Sequence, residues 1–151
     1  MEKILISACL VGENVKYSGG NNFIDSPHIR RWMEEGRLVT ICPETEGGLA
    51  TPRPPSEIRG GSVVNIEGDD VTESFARGAE LALSKADSLG IRYAILKQGS
   101  PSCGSKRIYD GTFSGVSKCG MGIAASLLVA SGILIYDETE IDELAKIVDG
   151  K

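Results

Sequence analysis

Lys3-Ile4-Leu5-Ile6-Ser7-Ala8-Cys9 is a short apolar run that passes directly into small residues and a cysteine. An apolar run of this length bounded by polar residues reads as a buried strand. The same arrangement recurs twice. Leu38-Val39-Thr40-Ile41 leads into Cys42-Pro43-Glu44, and Ile91–Leu96 leads into a loop from Lys97 to Gly104 containing Ser100-Pro101-Ser102-Cys103. In an open parallel α/β sheet, the loops that leave the carboxyl ends of the strands converge on one crevice. Cysteines far apart in sequence meet there.

The segments between these strands alternate with them. Ser26 and Pro27 form an N-cap followed by proline at the first helical position. They open a helix over His28–Glu35, which Gly36 stops. Thr72 reads as the cap of a second helix, in which Phe75, Ala79, Ala82, Leu83, Ala86 and Leu89 recur at helical spacing before Gly90. Ile123–Ala130 reads as a buried apolar helix, Ile133–Tyr136 as a strand and Glu138–Val148 as an amphipathic helix. Residues 42–62, rich in Gly and Pro, read as a long functional loop. Val63–Ile66, the Glu67-Gly68-Asp69-Asp70 turn and Val71 read as a small hairpin inserted in the pattern. A second glycine-rich stretch runs to Gly122. Strands alternating with helices predict an α/β fold, Rossmann- or flavodoxin-like, with a largely parallel sheet flanked by helices. Residues 1–151 read as a single domain, with no internal repeat or linker.

The net charge of −5 does not favour non-specific nucleic-acid binding. The short apolar run at the N-terminus lacks the long core and cleavage site of a signal peptide. No apolar stretch approaches the roughly 20 residues needed to span a bilayer. The cytoplasm is the expected location, and no membrane partner is expected. In that compartment four cysteines are expected to be free, metal-bound or catalytic rather than disulfide-paired.

A single cysteine reads equally well as a small buried hydrophobe. Three of them among Gly, Pro and Ser argue for more. Three thiolates suit a zinc ion with one open position. They suit equally a 4Fe-4S cluster with one iron lacking a protein ligand. The spacing alone does not separate the two. Cys119 reads as lying near a helix start, where a thiol is either a fourth ligand or a bystander. Glu44 follows Cys42 across a rigid proline and is the obvious proton-transfer carboxylate; its bland alternative is an ion pair with Arg53 or Arg59. Ser100 and Ser102 offer hydroxyls beside Cys103, or simply turn chemistry. The one histidine, His28, lies outside the cysteine loops, which leaves Ser/His/Asp and Cys/His schemes without a base. Gly19-Gly20 and Gly47-Gly48 match no phosphate-loop motif.

Four blocks carry a family resemblance. They are Ser7-Ala8-Cys9-Leu10-Val11-Gly12 with Val15-Lys16-Tyr17; Cys42-Pro43-Glu44 with Gly47-Gly48-Leu49 and Pro52-Arg53-Pro54; Leu96-Lys97 with Ser100–Gly104; and Ile108–Gly115. Together, over about Ile4 to Ile135, they resemble the thiouracil desulfurase family, long catalogued as a bacterial domain of unknown function. The resemblance implies a 4Fe-4S cluster held by Cys9, Cys42 and Cys103, with the fourth iron open to substrate. It implies removal of sulfur from a thiolated pyrimidine as sulfide, without net redox change. It matches Glu44 to the catalytic carboxylate and Ser100 to the catalytic serine, with Ser102 as second choice. Cys119 falls outside its core motif.

A thiocarbonyl sulfur is soft and suits thiolate-bound iron. Water steered by Ser100 and deprotonated by Glu44 then attacks the ring carbon. Arg53, Arg59 and Lys97 are the cations available to hold the ring's carbonyl groups. The alternatives are an iron–sulfur or zinc sensor or redox protein without turnover, and a zinc hydrolase. The sequence leaves open whether the base is presented free, as a nucleoside or within a modified RNA.

Overall fold

The computed structural model describes residues 1–150. Along the chain run β1 (Ile4–Ser7), α1 (Pro27–Glu34), β2 (Leu38–Ile41), the single turn α2 (Pro43–Glu46), β3 (Ser56–Arg59) and β4 (Ser62–Asn65). Then follow α3 (Thr72–Ser88), β5 (Tyr93–Leu96), β6 (Arg107–Tyr109), β7 (Ser117–Cys119), α4 (Ile123–Ala130), β8 (Leu134–Asp137) and α5 (Ile141–Asp149). The central sheet has the order β2-β1-β5-β8, and every pairing in it is parallel.

The alternation of side chains along a strand explains why both faces are covered. Leu5 and Leu96 pack with Ala82 and Ala86 of α3 and Leu128 of α4. Ile4, Ile6 and Ile95 point the other way and pack with Trp32 of α1 and Leu144 of α5. A strand buried on both sides reads as a continuous apolar run, which is why Ile4-Leu5-Ile6 shows no polar alternation. From β1 the chain passes through α1 to β2 on one side. It later returns through α3 to β5 on the other. The order therefore reverses at β1, and the crevice beyond such a switch point is where α/β sheets bind ligands.

The strands and helices of this framework fall within a few residues of the expected boundaries. Ser26 caps α1 by accepting from the Ile29 amide at 3.4 Å. Three expectations fail. The main hairpin is one strand earlier than expected: β3 pairs with β4 from Ser56↔Asn65 to Arg59↔Ser62. Gly60 and Gly61 supply its two-residue turn, with Gly60 at φ +63°, a conformation glycine adopts without strain. The 67–70 turn exists, but the return strand is reduced to one Val64–Asp70 bridge. Residues 42–62 are not all loop, since α2 and β3 lie within them; the later glycine-rich stretch holds the β6–β7 pair. And α4 is not wholly buried: Val129 is 42 % exposed, while Ala124, Ala125 and Leu128 are enclosed. No helix among the described residues is long and apolar enough to cross a membrane.

Candidate active site

The loops that follow β2, β1 and β5, three adjacent strands, open onto one cavity of about 510 Å³. Cys9, Cys42 and Cys103 all line it. Cys9 sits in a 3-10 turn (Ala8–Val11) that begins where β1 ends. Cys42 is the N-cap of α2. Its amide donates to Glu46 Oε2 at 2.8 Å, and Lys85 of α3 holds the other oxygen of Glu46 at 2.6 Å. The Cys103 loop is tied to the start of α4. The Ile123 amide donates to Pro101 O at 2.9 Å, and the Ala124 and Ala125 amides donate to Ser102 O at 2.9 and 3.0 Å.

All four cysteines are free thiols. Asn22 Nδ2 donates to Cys9 Sγ at 3.4 Å, and Ser102 Oγ lies 3.7 Å from Cys103 Sγ. Burial pushes the Cys9 thiol up; the Asn22 hydrogen bond offsets part of this and neighbouring Cys42 adds to it. Burial pushes Cys103 up to about 12; the Ser7 hydroxyl pulls against it, while Glu44 and Cys9 reinforce it. Cys9 is therefore in electrostatic reach of both other thiols.

The donor set discriminates between the metal readings. Among the described residues no three His, Cys, Asp or Glu side chains are gathered as a single-ion site requires. The ligands of one zinc must all come within about 2.3 Å of one point. Cluster cysteines each bind a separate iron and stand farther apart. Three soft sulfurs around one cavity, two of them facing hydrogen-bond donors that favour thiolate, fit an iron–sulfur cluster.

Glu44 lies on α2 and lines the cavity. Its Oε1 accepts from Arg53 Nε at 3.1 Å and its Oε2 from Ser102 Oγ at 2.9 Å. Ser100 Oγ lies 2.9 Å from Ser102 Oγ. Since the Ser102 proton goes to Glu44, the Ser100 proton points at Ser102. Ser100 Oγ also accepts from the amides of Ser102 at 3.1 Å and Cys103 at 3.0 Å. The result is a hydrogen-bonded row, Ser100 to Ser102 to Glu44, with Ser102 rather than Ser100 touching the carboxylate.

The position of α2 depends on two glycines. A Cβ on Gly78 of α3 would stand 1.7 Å from Pro43 O, and one on Gly47 would stand 2.0 Å from Ser74 O. Any side chain there would drive the Cys42–Glu44 turn off α3.

The three expected cations do different things. Arg53 is nearly buried and spends its guanidinium on Glu44, Val15 O, Ala50 O and Thr51 Oγ1. It holds Glu44 and lines the cavity, with one of its five N–H donors, on Nη2, left over from these four bonds. Arg59 does not line the cavity; both its Nε and Nη2 donate to Gly111 O, at 3.0 and 2.6 Å. Lys97 does line the cavity, paired with Glu138 at 2.7 Å. Cys119 ends β7 rather than starting a helix and is exposed. His28 is not at the cavity; its ring stacks on Trp32 at 5.8 Å.

Sequence reasoning missed Asn22, Glu46, Glu57 and Phe113. Glu46 carries a signal, four residues after an N-capping cysteine. Phe113 is a non-glycine residue at φ +57° and lines the cavity; it falls inside the Ile108–Gly115 block, but nothing there singles it out from its neighbours.

Whole-chain comparisons place the protein among known relatives. The family model described as 2-thiouracil desulfurase matches residues 4–140. A protein of Bacillus subtilis strain 168, the uncharacterized YbbK, is 40 % identical over 151 residues, covering 93 % of this chain and 99 % of its own length. The solved structure of a 4Fe-4S-dependent thiouracil desulfidase, TudS, matches with a TM-score of 0.97 and 49 % identity, over 100 % of both chains. A family match over residues 4–140, joined to three cysteines, a carboxylate and two serines on one cavity, leaves one assignment: the chain belongs to the 2-thiouracil desulfurase family.

Proposed function

We propose that this protein converts a thiolated pyrimidine such as 2-thiouracil, with one water, to the oxo base and sulfide, and that Cys9, Cys42 and Cys103 hold the 4Fe-4S cluster at which it does so. The carbon–sulfur bond breaks and a carbon–oxygen bond forms at the same carbon, so no electrons are gained or lost. The cluster supplies a soft Lewis-acidic iron suited to a thiocarbonyl sulfur.

The chain's own residues handle the proton. Water loses it as the C–O bond forms. Ser100 Oγ takes it while passing its own proton to Ser102, and Ser102 passes one to Glu44 Oε2 along contacts of 2.9 Å each. The two amides at Ser100 Oγ stabilise the charge that builds there. Arg53 fixes Glu44 so that its Oε2 stays on Ser102. Glu44 returns the proton as sulfur leaves. The substrate is read as a small free base because the cavity of about 510 Å³ has the size of a small-molecule site.

The observation that carries this reading is the row Ser100–Ser102–Glu44 ending on the cavity that the three cysteines share. The test is sulfide release from 2- and 4-thiouracil by anaerobically reconstituted protein, with iron counted per chain. Ser100→Ala and Ser102→Ala each cut the row and should slow release by similar factors, about 10²-fold or more. A Ser102→Ala enzyme at the parent rate removes the relay. A parent that holds an intact cluster and releases no sulfide favours a sensor or redox protein.

A further inference from the structure

Glu57 on β3 is nine-tenths buried and lines the same cavity, yet the proton relay does not use it. Its Oε1 accepts from the Gly111 amide at 2.9 Å and the Phe113 amide at 3.1 Å. These bonds fold the loop between β6 and β7 over the cavity. Arg59 braces the same loop through Gly111 O and lies 5.9 Å from the centre of the Phe113 ring. The loop presents Phe113 to the cavity in a left-handed conformation that a bulky residue rarely adopts.

The second oxygen of Glu57 is the informative one. No donor among the described residues reaches Oε2. Nor is it sealed in: the fully enclosed side-chain nitrogen or oxygen without a partner, among the described residues, is Arg37 Nη2. A carboxylate oxygen accepts about two hydrogen bonds. This one borders open space, and the open space that Glu57 borders is the cavity. An acceptor with charge, next to an aromatic face, in a small half-open site, selects a flat ring that carries an N–H.

We infer that Glu57 is a specificity residue: its Oε2 accepts a ring N–H of the pyrimidine while Phe113, held by the same side chain, packs against the ring. The inference rests on the proposed desulfuration and names how the substrate is read. The acidic acceptor rejects rings whose facing nitrogen is alkylated, because the carboxylate is then left buried and unpaired. Glu57 therefore chooses among thiolated pyrimidines without joining the proton chemistry.

The experiment uses reconstituted protein with matched iron content. KM and kcat are measured for 2-thiouracil and its N1-methyl and N3-methyl derivatives, and uracil affinity is measured by calorimetry. In the parent, one methyl isomer should lose about 10- to 100-fold in kcat/KM, the range expected for a hydrogen bond to a charged group. In Glu57→Gln, which keeps an acceptor for the two amides but offers the cavity an NH₂, that discrimination should collapse. Its KM for 2-thiouracil and its uracil dissociation constant should rise, with kcat little changed. Discrimination that survives in Glu57→Gln, or a loss confined to kcat, overturns the inference. Should the Gln variant fail to fold, the parent decides: equal affinity for uracil and both N-methyluracils overturns it, and selective loss of one supports it. A parent inactive on 2-thiouracil defeats the proposed function instead, which calorimetry with uracil separates from failure at Glu57.

Discussion

Glu44 and Asp149 are both carboxylates tied to arginine, at opposite edges of the same parallel strands. Asp149 lies at the amino edge, where Trp32 Nε1 and Arg31 Nη2 reach its Oδ2 at 2.7 Å and Arg37 Nη1 reaches its Oδ1 at 2.8 Å. Every one of those donors belongs to α1 or to the residue just before β2. The circuit is closed and locks α5 against α1. Glu44, at the carboxyl edge, has one oxygen on Arg53 and the other on Ser102, from which the row continues to Ser100 at the cavity. One network ends on itself, and the other ends on a space for a ligand. An arginine–carboxylate pair is thus no sign of function by itself; what matters is where the second oxygen leads.

The largest effect should come from exchanging these roles. Glu44→Gln keeps the shape and removes the proton acceptor, so sulfide release should fall about 100- to 10,000-fold with iron content unchanged. Asp149→Ala leaves the buried Arg37 and the partly exposed Arg31 without their shared carboxylate and should cost about 3 kcal/mol of stability. Its turnover per folded, iron-loaded molecule should match the parent. Denaturant midpoints and sulfide assays on both variants check this. A slowed Asp149 variant at equal iron content would show the two edges to be coupled.

A smaller effect probes the seat of Glu44. Gly78→Ala places a methyl 1.7 Å from Pro43 O and should cost about 1–3 kcal/mol. Because Pro43 lies between Cys42 and Glu44, iron retention should fall as well. Gly90→Ala, at φ +64° with nothing within 4 Å of its Cβ, is the control: strained backbone, full iron. Equal iron in both variants would show that α2 can shift without losing the cluster.

These two edges also differ in how far the sequence announces them. β1, β2 and β5 each end at a cysteine loop, so the shared cavity follows from strand position alone, and a buried strand cannot hide its apolar run. The Cys42-Pro43-Glu44 turn is equally plain, since proline fixes the step from thiol to carboxylate. Arg59 misleads because it is near Glu44 in sequence, yet β3 turns it toward Gly111. Glu57 and Phe113 are invisible because their meeting requires β6 and β7 to close over β3, a tertiary contact with no local pattern. The 56–71 region misleads for a related reason: two turns compete to form the hairpin. Gly60-Gly61 wins because it joins two strands of four residues, while the 67–70 turn joins one strand to a single bridge. The order Ser100 before Ser102 could not be read either. It depends on Ser102 being the hydroxyl that faces α2, which sits on α3 only because Gly78 lacks a side chain.

The closed network also predicts a pH dependence. Burial works to raise the Asp149 pKa, but the Trp32, Arg37 and Arg31 hydrogen bonds outweigh it and hold the carboxyl well below the usual carboxylate range. A folded pKa below the unfolded value of about 3.9 means that the stabilisation is complete above that value. It is lost as pH falls through the folded pKa. Unfolding free energy should therefore decline below about pH 4, and Asp149→Asn should flatten that decline. Denaturant titrations from pH 6 to 3 measure both slopes. Equal slopes would place the acid sensitivity elsewhere, Asp137 being next, since Thr139, Gln98 and Lys106 outweigh burial and hold it at about 2.

The smallest effect belongs to Cys119. It sits at the end of β7, opposite Arg107, exposed to solvent and outside the cavity that Cys9, Cys42 and Cys103 line. An exposed side chain with no buried contact contributes little to stability, and Ser is nearly its size. Cys119→Ser should therefore keep the cluster, the fold and the rate of sulfide release. Cys9→Ser, Cys42→Ser and Cys103→Ser should each lose iron, because a hydroxyl is a poor ligand where a soft thiolate is required. Visible absorption and iron per chain after anaerobic reconstitution separate the four variants. Bleaching in Cys119→Ser would mean that β7 folds inward to give a fourth ligand. That would leave no iron open to the thiocarbonyl sulfur, and the proton row from Ser100 to Glu44 would then have no reaction to serve.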